Sequence, residues 1–108
     1  MREEIRRAVV VNAAAQITKR APSSVYSYNR GRHTHINPTY DYEAGAHIGG
    51  SGSSLYHYGV GSQISLSVNG TNFSGYDYEG RHHFSGSVNN GSVQLYDYGE
   101  GKYFNYSV

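Results

Sequence analysis

Two hydrophobic periods divide this 108-residue chain. Up to Arg20, apolar residues recur every fourth position at Ile5, Val9, Ala13 and Ile17, with Val10 and Ala14 widening the stripe. That spacing sets them on one face of a helix. Glu3 and Glu4 fall in the first turn and Lys19 and Arg20 in the last, which suits the helix dipole, and Pro22 ends the segment. The pattern predicts a helix over residues 2–20 whose small Ala- and Val-rich face packs closely on a sheet, with the helix as its lid.

From Ser24 onward the period becomes two. Residues 62–68, 71–78, 82–88, 92–98 and 102–108 alternate regularly and are separated by Asn69-Gly70, Gly80, Asn90-Gly91 and the Gly99/Gly101 pair. Asn-Gly between alternating segments is a strong hairpin signal, because the central residues of such a turn take positive φ. Shorter strands fit residues 24–29, 33–36, 39–43, 46–48 and 53–58, and 49–54 reads as a flexible loop or bulge. The expected fold is a single α+β domain (1–108), with one N-terminal helix packed on a long, curved antiparallel meander of about eight to ten short strands. So many twisted strands curl or close rather than stay flat, so the sheet is expected to wrap the helix or form a partly closed barrel.

Five copies of Tyr-x-Tyr punctuate the meander: Tyr26/Tyr28, Tyr40/Tyr42, Tyr56/Tyr58, Tyr76/Tyr78 and Tyr96/Tyr98, at intervals of 14, 16, 20 and 20 residues. A Gly-containing turn follows each copy, so two strands and two turns make the 20-residue unit. Taking Asn69-Gly70 as the two central turn residues sets Val68 opposite Thr71 and Leu66 opposite Phe73. Parity then gathers Ile64, Leu66, Val68, Phe84, Leu95 and Phe104 on a core face. The tyrosine pairs share the opposite face with Ser, Asn and Gln. The residue between each pair, namely Ser27, Asp41, His57, Asp77 or Asp97, ends the core face. MORN and choline-binding modules have units of similar length, but this chain has no Trp and its Gly spacing after Tyr departs from the MORN pattern.

Composition sharpens this picture. Leu, Ile, Val and Phe total 20 residues, a thin core, but 15 aromatics and a net charge of +1 argue against disorder. Residues 1–32 hold seven of the nine basic and two of the eight acidic residues (+5), and the remainder carries −4. Such a split implies an internal electrostatic match or a subunit contact. It is too sparse for a nucleic-acid site. No apolar run reaches membrane-spanning length. Glu3, Glu4 and Asn12 spoil a signal-peptide reading of residues 8–17, and with no Cys a cytoplasmic location is favoured. No membrane partner is expected.

Candidate chemistry is limited. Asp77 with His82 and Asp97 with Lys102 face one another across their turns, as cross-strand ion pairs or, with His57, as an acid/base row at a pocket mouth (His57, Asp77, His82, Asp97). His33-x-His35 with Glu43 and His47 resembles the cupin metal pattern in part, but Glu43 lies eight residues beyond His35 and the second cupin motif has no counterpart. No metal or cofactor is therefore expected. No nucleophile elbow or phosphate cradle occurs. Four Asn-x-Ser/Thr sequons, at Asn69, Asn72, Asn90 and Asn105, carry no meaning without secretion. The tyrosine face stands out, because Tyr combines a flat apolar ring with a polar tip and is enriched at binding surfaces. The chain is expected to be a non-enzymatic interaction protein that self-associates through its sheet. The alternatives are a small-molecule or glycan binder using Tyr56, Tyr58, Tyr76, Tyr78, Tyr96 and Tyr98, and an enzyme using the polar row.

Overall fold

The computed structural model describes residues 1–108, the side chain of Ser51 excepted. The described residues form one helix, α1 (Glu3–Thr18), and ten strands: β1 (Ser24–Ser27), β2 (Arg32–Asn37), β3 (Tyr40–Asp41), β4 (Ala46–Ser51), β5 (Ser54–His57), β6 (Ser62–Asn69), β7 (Asn72–Asp77), β8 (His82–Asn89), β9 (Ser92–Asp97) and β10 (Lys102–Ser107). Every strand pairs antiparallel with its neighbours in sequence, and β1 also pairs with β10 through Tyr26↔Ser107 and Ser27↔Tyr106. The meander is therefore a closed barrel.

The helix runs inside that barrel rather than lying on it as a lid. Ten consecutive residues, Ile5–Ala14, are buried, which leaves no solvent-facing side over that stretch. It packs against β2, β5, β6, β8 and β9, on different sides of the barrel. A helix surrounded on all sides must be small and nearly apolar all round, and the run Val9-Val10-Val11-Asn12-Ala13-Ala14-Ala15 meets both conditions. The helix is shorter than 2–20. Lys19 is its C-cap, with φ 63° and an N–H bonded to Ala15 O at 3.0 Å, so Lys19 and Arg20 lie beyond the last turn.

Parity places the core face correctly: Ile64, Leu66, Phe73, Phe84, Val88, Leu95 and Phe104 all point inward and are buried. The register at the first Asn-Gly differs by one position on each strand. Val68 pairs with Phe73 and Asn69 with Asn72, so Gly70-Thr71 form the turn and Gly70 takes φ 63°. Twenty residues on, Asn89 pairs with Ser92 and Asn90 takes φ 56° in the equivalent place. The repeat thus aligns Gly70 with Asn90, and the positive-φ position sets the turn. Because each strand slides by one, alternation stays in phase and no side chain changes face. Residues 49–54 are no loop, since β4 runs to Ser51 and Ser51 pairs with Ser54 across a two-residue turn.

Phe73 and Phe84 are supported by two strand glycines. Phe73 pairs with Gly86 and Phe84 with Gly75. A Cβ on Gly86 would lie 2.4 Å from Phe73 Cζ, and one on Gly75 would lie 2.6 Å from Phe84 Cζ. Each ring covers the opposing glycine, a cross-strand device that tightens sheet curvature.

Candidate functional site

Five hairpins surround the helix N-terminus with the same four-residue turn, and Tyr-x-Tyr leads into each. The middle residue caps the turn. Asp97 Oδ1 accepts the N–H of Gly99 and Glu100 at 2.8 and 3.2 Å, and Asp41 Oδ1 accepts those of Glu43 and Ala44, both at 3.1 Å. Asp77 Oδ1 accepts from Glu79 N–H and Ser27 Oγ from Arg30 N–H. His57 fills the same role with Nδ1, which accepts from Gly59 and Val60 at 3.1 and 3.2 Å. That leaves the ring proton on Nε2, which faces Asp41 Oδ2 at 3.2 Å. The residue four positions after the cap carries positive φ: Gly31, Gly45, Gly61, Arg81 and Gly101.

In Asp41 and Asp97 the second carboxylate oxygen meets the helix and its N-terminus. Arg7 Nε donates to Asp41 Oδ2 at 2.8 Å and Arg6 Nη1 to Asp97 Oδ2 at 2.9 Å. The α-amino group of Met1 lies 3.0 Å from the same Asp97 oxygen. Glu43 receives Arg7, Arg30 and Arg32. These contacts are the internal match implied by the split of charge. Burial opposes ionisation of Asp41, but hydrogen bonds from His57, Arg7 and the turn outweigh it and hold the carboxyl at about 2. Asp97 is likewise held below its ordinary range, burial being outweighed by the amino terminus and the turn N–H groups. Burial, and then the charge of Glu3, raise the Tyr106 hydroxyl, which donates to Glu3 at 3.2 Å.

The row His57, Asp77, His82 and Asp97 is thus split. His57, Asp77 and Asp97 are wholly buried, and none of the four lines a surface groove among those described. Asp77 and Asp97 stand opposite His82 and Lys102 in register, yet neither pair forms an ion pair among the described residues. The carboxylates turn inward over their own loops. Lys102 is exposed, and its Nζ lies over the Phe104 ring, 5.0 Å from the centroid. Asp77 Oδ2 is buried with no hydrogen-bond partner. His82 is wedged against the turns, so that a Cβ on Gly99 would meet its ring at 2.4 Å. His33 packs tilted against Tyr26 and His47 edge-on against Tyr40, while Glu43 is taken by arginines. Among the described residues no group of three or more His, Cys, Asp or Glu is placed to hold a metal ion.

Outside the barrel, all five tyrosine pairs adopt one geometry, with ring centroids 4.7–5.0 Å apart and planes tilted by 54–79°. The first ring of four pairs also packs on the residue seven positions later: His33, His47, His83 or Tyr103. The second tyrosine of each pair is 52–64% exposed. Tyr56, Tyr58, Tyr78 and Tyr98 are exposed, and Tyr76 and Tyr96 are half-buried. Next to this aromatic rim, on the outer face of β6–β10, lies an open groove of about 910 Å³. Tyr96, Tyr98 and Tyr103 form one wall, and Asn72, Ser87 and Gln94 lie among its polar lining. It contains no Asp, Glu, Lys, Arg or His. A second groove shares Ser74, Ser85 and Tyr98 with it, and a third shares Ser87 and Gln94.

Alternation identified Tyr96, Tyr98, Tyr103, Ser87 and Gln94 as outward-facing but not the concavity of the groove they line. The signal was the pair of glycines in mid-strand, since an isolated strand glycine marks a bend. Arg6 and Arg7 were legible as charges but not as partners of the caps, because the predicted helix had an open polar face. Comparison with known proteins supplies no further guide, as no protein-family model, curated protein or solved structure matches this chain. Among the described residues no helix is long and apolar enough to cross a membrane.

Proposed function

We propose that this protein is a non-enzymatic binding module that recognises a neutral, hydroxyl-rich small molecule or glycan on the outer face of β6–β10. The observation that carries this reading is the groove of about 910 Å³ lined by tyrosines, hydroxyls and amides without one formally charged side chain. Tyrosine rings cover the apolar faces of a sugar, and Ser, Asn and Gln exchange hydrogen bonds with its hydroxyls. The absence of cationic residues from the groove argues against nucleic acid, whose binding rests on phosphate neutralisation. The helix fills the barrel, so recognition falls to the outside. Titration calorimetry with a panel of neutral mono- and oligosaccharides tests it. Binding is expected, with loss on replacing Tyr96 and Tyr98 by Ser. A panel without a single binder, and with no shift in the amide NMR signals of β8 and β9, sinks the reading.

Self-association is a second reading, favoured by the ring of five tyrosines that each expose about half of their surface or more. Barrel closure leaves no open sheet edge for it, so the tyrosine rim is the surface available. Sedimentation at micromolar concentration separates the two: a dimer dispersed by Tyr76→Ser with Tyr96→Ser supports self-association.

A further inference from the structure

We infer that the exposed tyrosine of each Tyr-x-Tyr pair is a site of one-electron oxidation, at which separate copies of this chain become joined covalently as dityrosine. The inference is independent of the neutral grooves. Composition leaves an oxidant few other targets. Thiols, thioethers and indoles are the usual competitors of a phenol. This chain has no Cys, no Trp and a single Met, and that Met is buried. Its twelve tyrosines are therefore its most readily oxidised side chains. The fold then sorts them. Tyr106 is buried and donates to Glu3. The first tyrosine of four pairs is half-buried, and Tyr56 is only just exposed. Tyr28, Tyr42, Tyr58, Tyr78 and Tyr98 are each more than half exposed, one at each of the five turns around the barrel.

The oxidant this requires is of the peroxide class, hydrogen peroxide used through a haem peroxidase. Each of two phenols gives up one electron and its hydroxyl proton. The two radicals join at the ring carbons ortho to oxygen, and the hydrogens on those carbons return to the oxygens. One peroxide takes the two electrons and two protons and leaves as two waters. The new bond needs the edges of two rings to meet carbon to carbon. Within a pair they do not. In four of the five pairs the edge of one ring meets the face of the other, with centroids 4.8–5.0 Å apart. Rings in such contact can exchange an electron, yet the packing keeps their ortho carbons from converging. Coupling therefore falls to the exposed ring and to a ring of another copy. Five sites spread around one barrel let each copy join more than two others, so the product is a branched network.

Treatment of the intact protein with a haem peroxidase and hydrogen peroxide tests this. Dityrosine fluorescence should appear together with covalent dimers and larger species on denaturing gels. Mass-spectrometric mapping of the cross-linked peptides should place most links at Tyr28, Tyr42, Tyr58, Tyr78 and Tyr98, and this reading needs no variant. Replacing those five by Phe keeps every ring and should lower the yield of covalent oligomers about fivefold or more, with an unchanged circular dichroism spectrum. The reciprocal change of Tyr26, Tyr40, Tyr56, Tyr76 and Tyr96 to Phe should leave the yield within about twofold. Absence of covalent oligomers overturns the inference. So does dityrosine confined to monomers, or links that map chiefly to the half-buried tyrosines. A full yield from the variant lacking the five exposed hydroxyls overturns it as well.

Discussion

The two halves of the barrel use the same tyrosine turn for different ends. In the first half, β1–β5, intervals of 14 and 16 residues leave little chain for strands, and β3 has two residues that pair with β2 at two positions. In the second, β6–β10, 20-residue units give strands of six or eight residues with six paired positions in each neighbouring pair. Charge compensates for the short ladders. Arg7, Arg30, Arg32, Asp41, Glu43 and His57 form one network that ties the first half to the helix. The longer half is held by its backbone, so its outer side chains carry no such duty, and the neutral grooves lie there. Where the ladder suffices, the outer surface needs no charge to hold the strands together.

Removing the charge clamp should break this comparison most strongly. Arg7→Met leaves buried Asp41 without its cation and frees Glu43. Breaking a buried pair from one side costs about 3–5 kcal/mol. Arg6→Met is the same experiment on the longer half, and a smaller loss is expected because the Arg6 side chain is 11% exposed against 3% for Arg7. Urea unfolding of both variants checks the order. Equal losses would mean that the two halves depend on the clamp alike.

The longer half has its own weak point. Gly86→Ala places a methyl 2.1 Å from Gln94 O and 2.4 Å from Phe73 Cζ. Overpacking of this kind costs about 1–3 kcal/mol, and here backbone must move as well as a ring. Gly45→Ala in the first half meets nothing within 4 Å but sits at φ 64°, so a loss of about 1 kcal/mol from backbone strain is expected. Thermal melts of the two variants decide the ranking. A Gly86→Ala variant as stable as Gly45→Ala would remove the reason given for the curvature of β7–β9.

Acid should act on the caps of both halves. The carboxyls of Asp41, Glu43 and Asp97 are held below their ordinary values in the fold. At mildly acidic pH the unfolded chain therefore binds more protons than the folded one, and stability falls with pH. The contribution is complete above the unfolded value of roughly 4 and is lost as pH drops through the folded values. For Asp41, whose folded value is about 2, the full contribution is about 2 kcal/mol. Asp41→Asn should flatten the decline between pH 4 and pH 2 in denaturant titrations. An unchanged slope would show that Asp41 is no source of it.

Much of the fold was legible in the sequence because alternation and turn chemistry are local. Tyr-x-Tyr, the turn glycines and the parity of Ile64, Leu66, Phe73 and Phe84 fixed which way each strand faces. Closure was less legible, since β1 meets β10 across nearly the whole chain and at two residue pairs. The position of the helix turned on Val11, Ala8 and Asn12, which look like an ordinary second face until a barrel surrounds them. The caps illustrate the same limit. Asp77 and Asp97 sit in equivalent places with nearly the same local sequence, yet Asp97 meets Arg6 and Asp77 Oδ2 meets nothing. Tertiary placement of the helix separates them, and local sequence does not encode it. For the candidate site, the tyrosines and polar residues were named, and the groove they line was not.

The smallest expected effect concerns the one tyrosine turn that departs from the others. Four of the five turns place Gly at the positive-φ position, and the turn between β7 and β8 places Arg81 there, at φ 60°. The hydrogen bond is the same as elsewhere: Arg81 N–H donates to Asp77 O at 2.8 Å, as Gly101 N–H does to Asp97 O at 2.7 Å. The arginine thus adopts the left-handed conformation without a compensating backbone bond of its own, and it is exposed. A left-handed residue with a Cβ costs roughly 1–2 kcal/mol, while glycine adds about 0.5–1 kcal/mol of unfolded-state freedom. Arg81→Gly should therefore stabilise the protein by roughly 0.5–1 kcal/mol, the difference of those terms. Gly101→Arg should destabilise it by a similar amount. Denaturant midpoints for the pair check both signs, and a destabilising Arg81→Gly would mean that the arginine side chain supports this turn by contacts that outweigh its backbone strain.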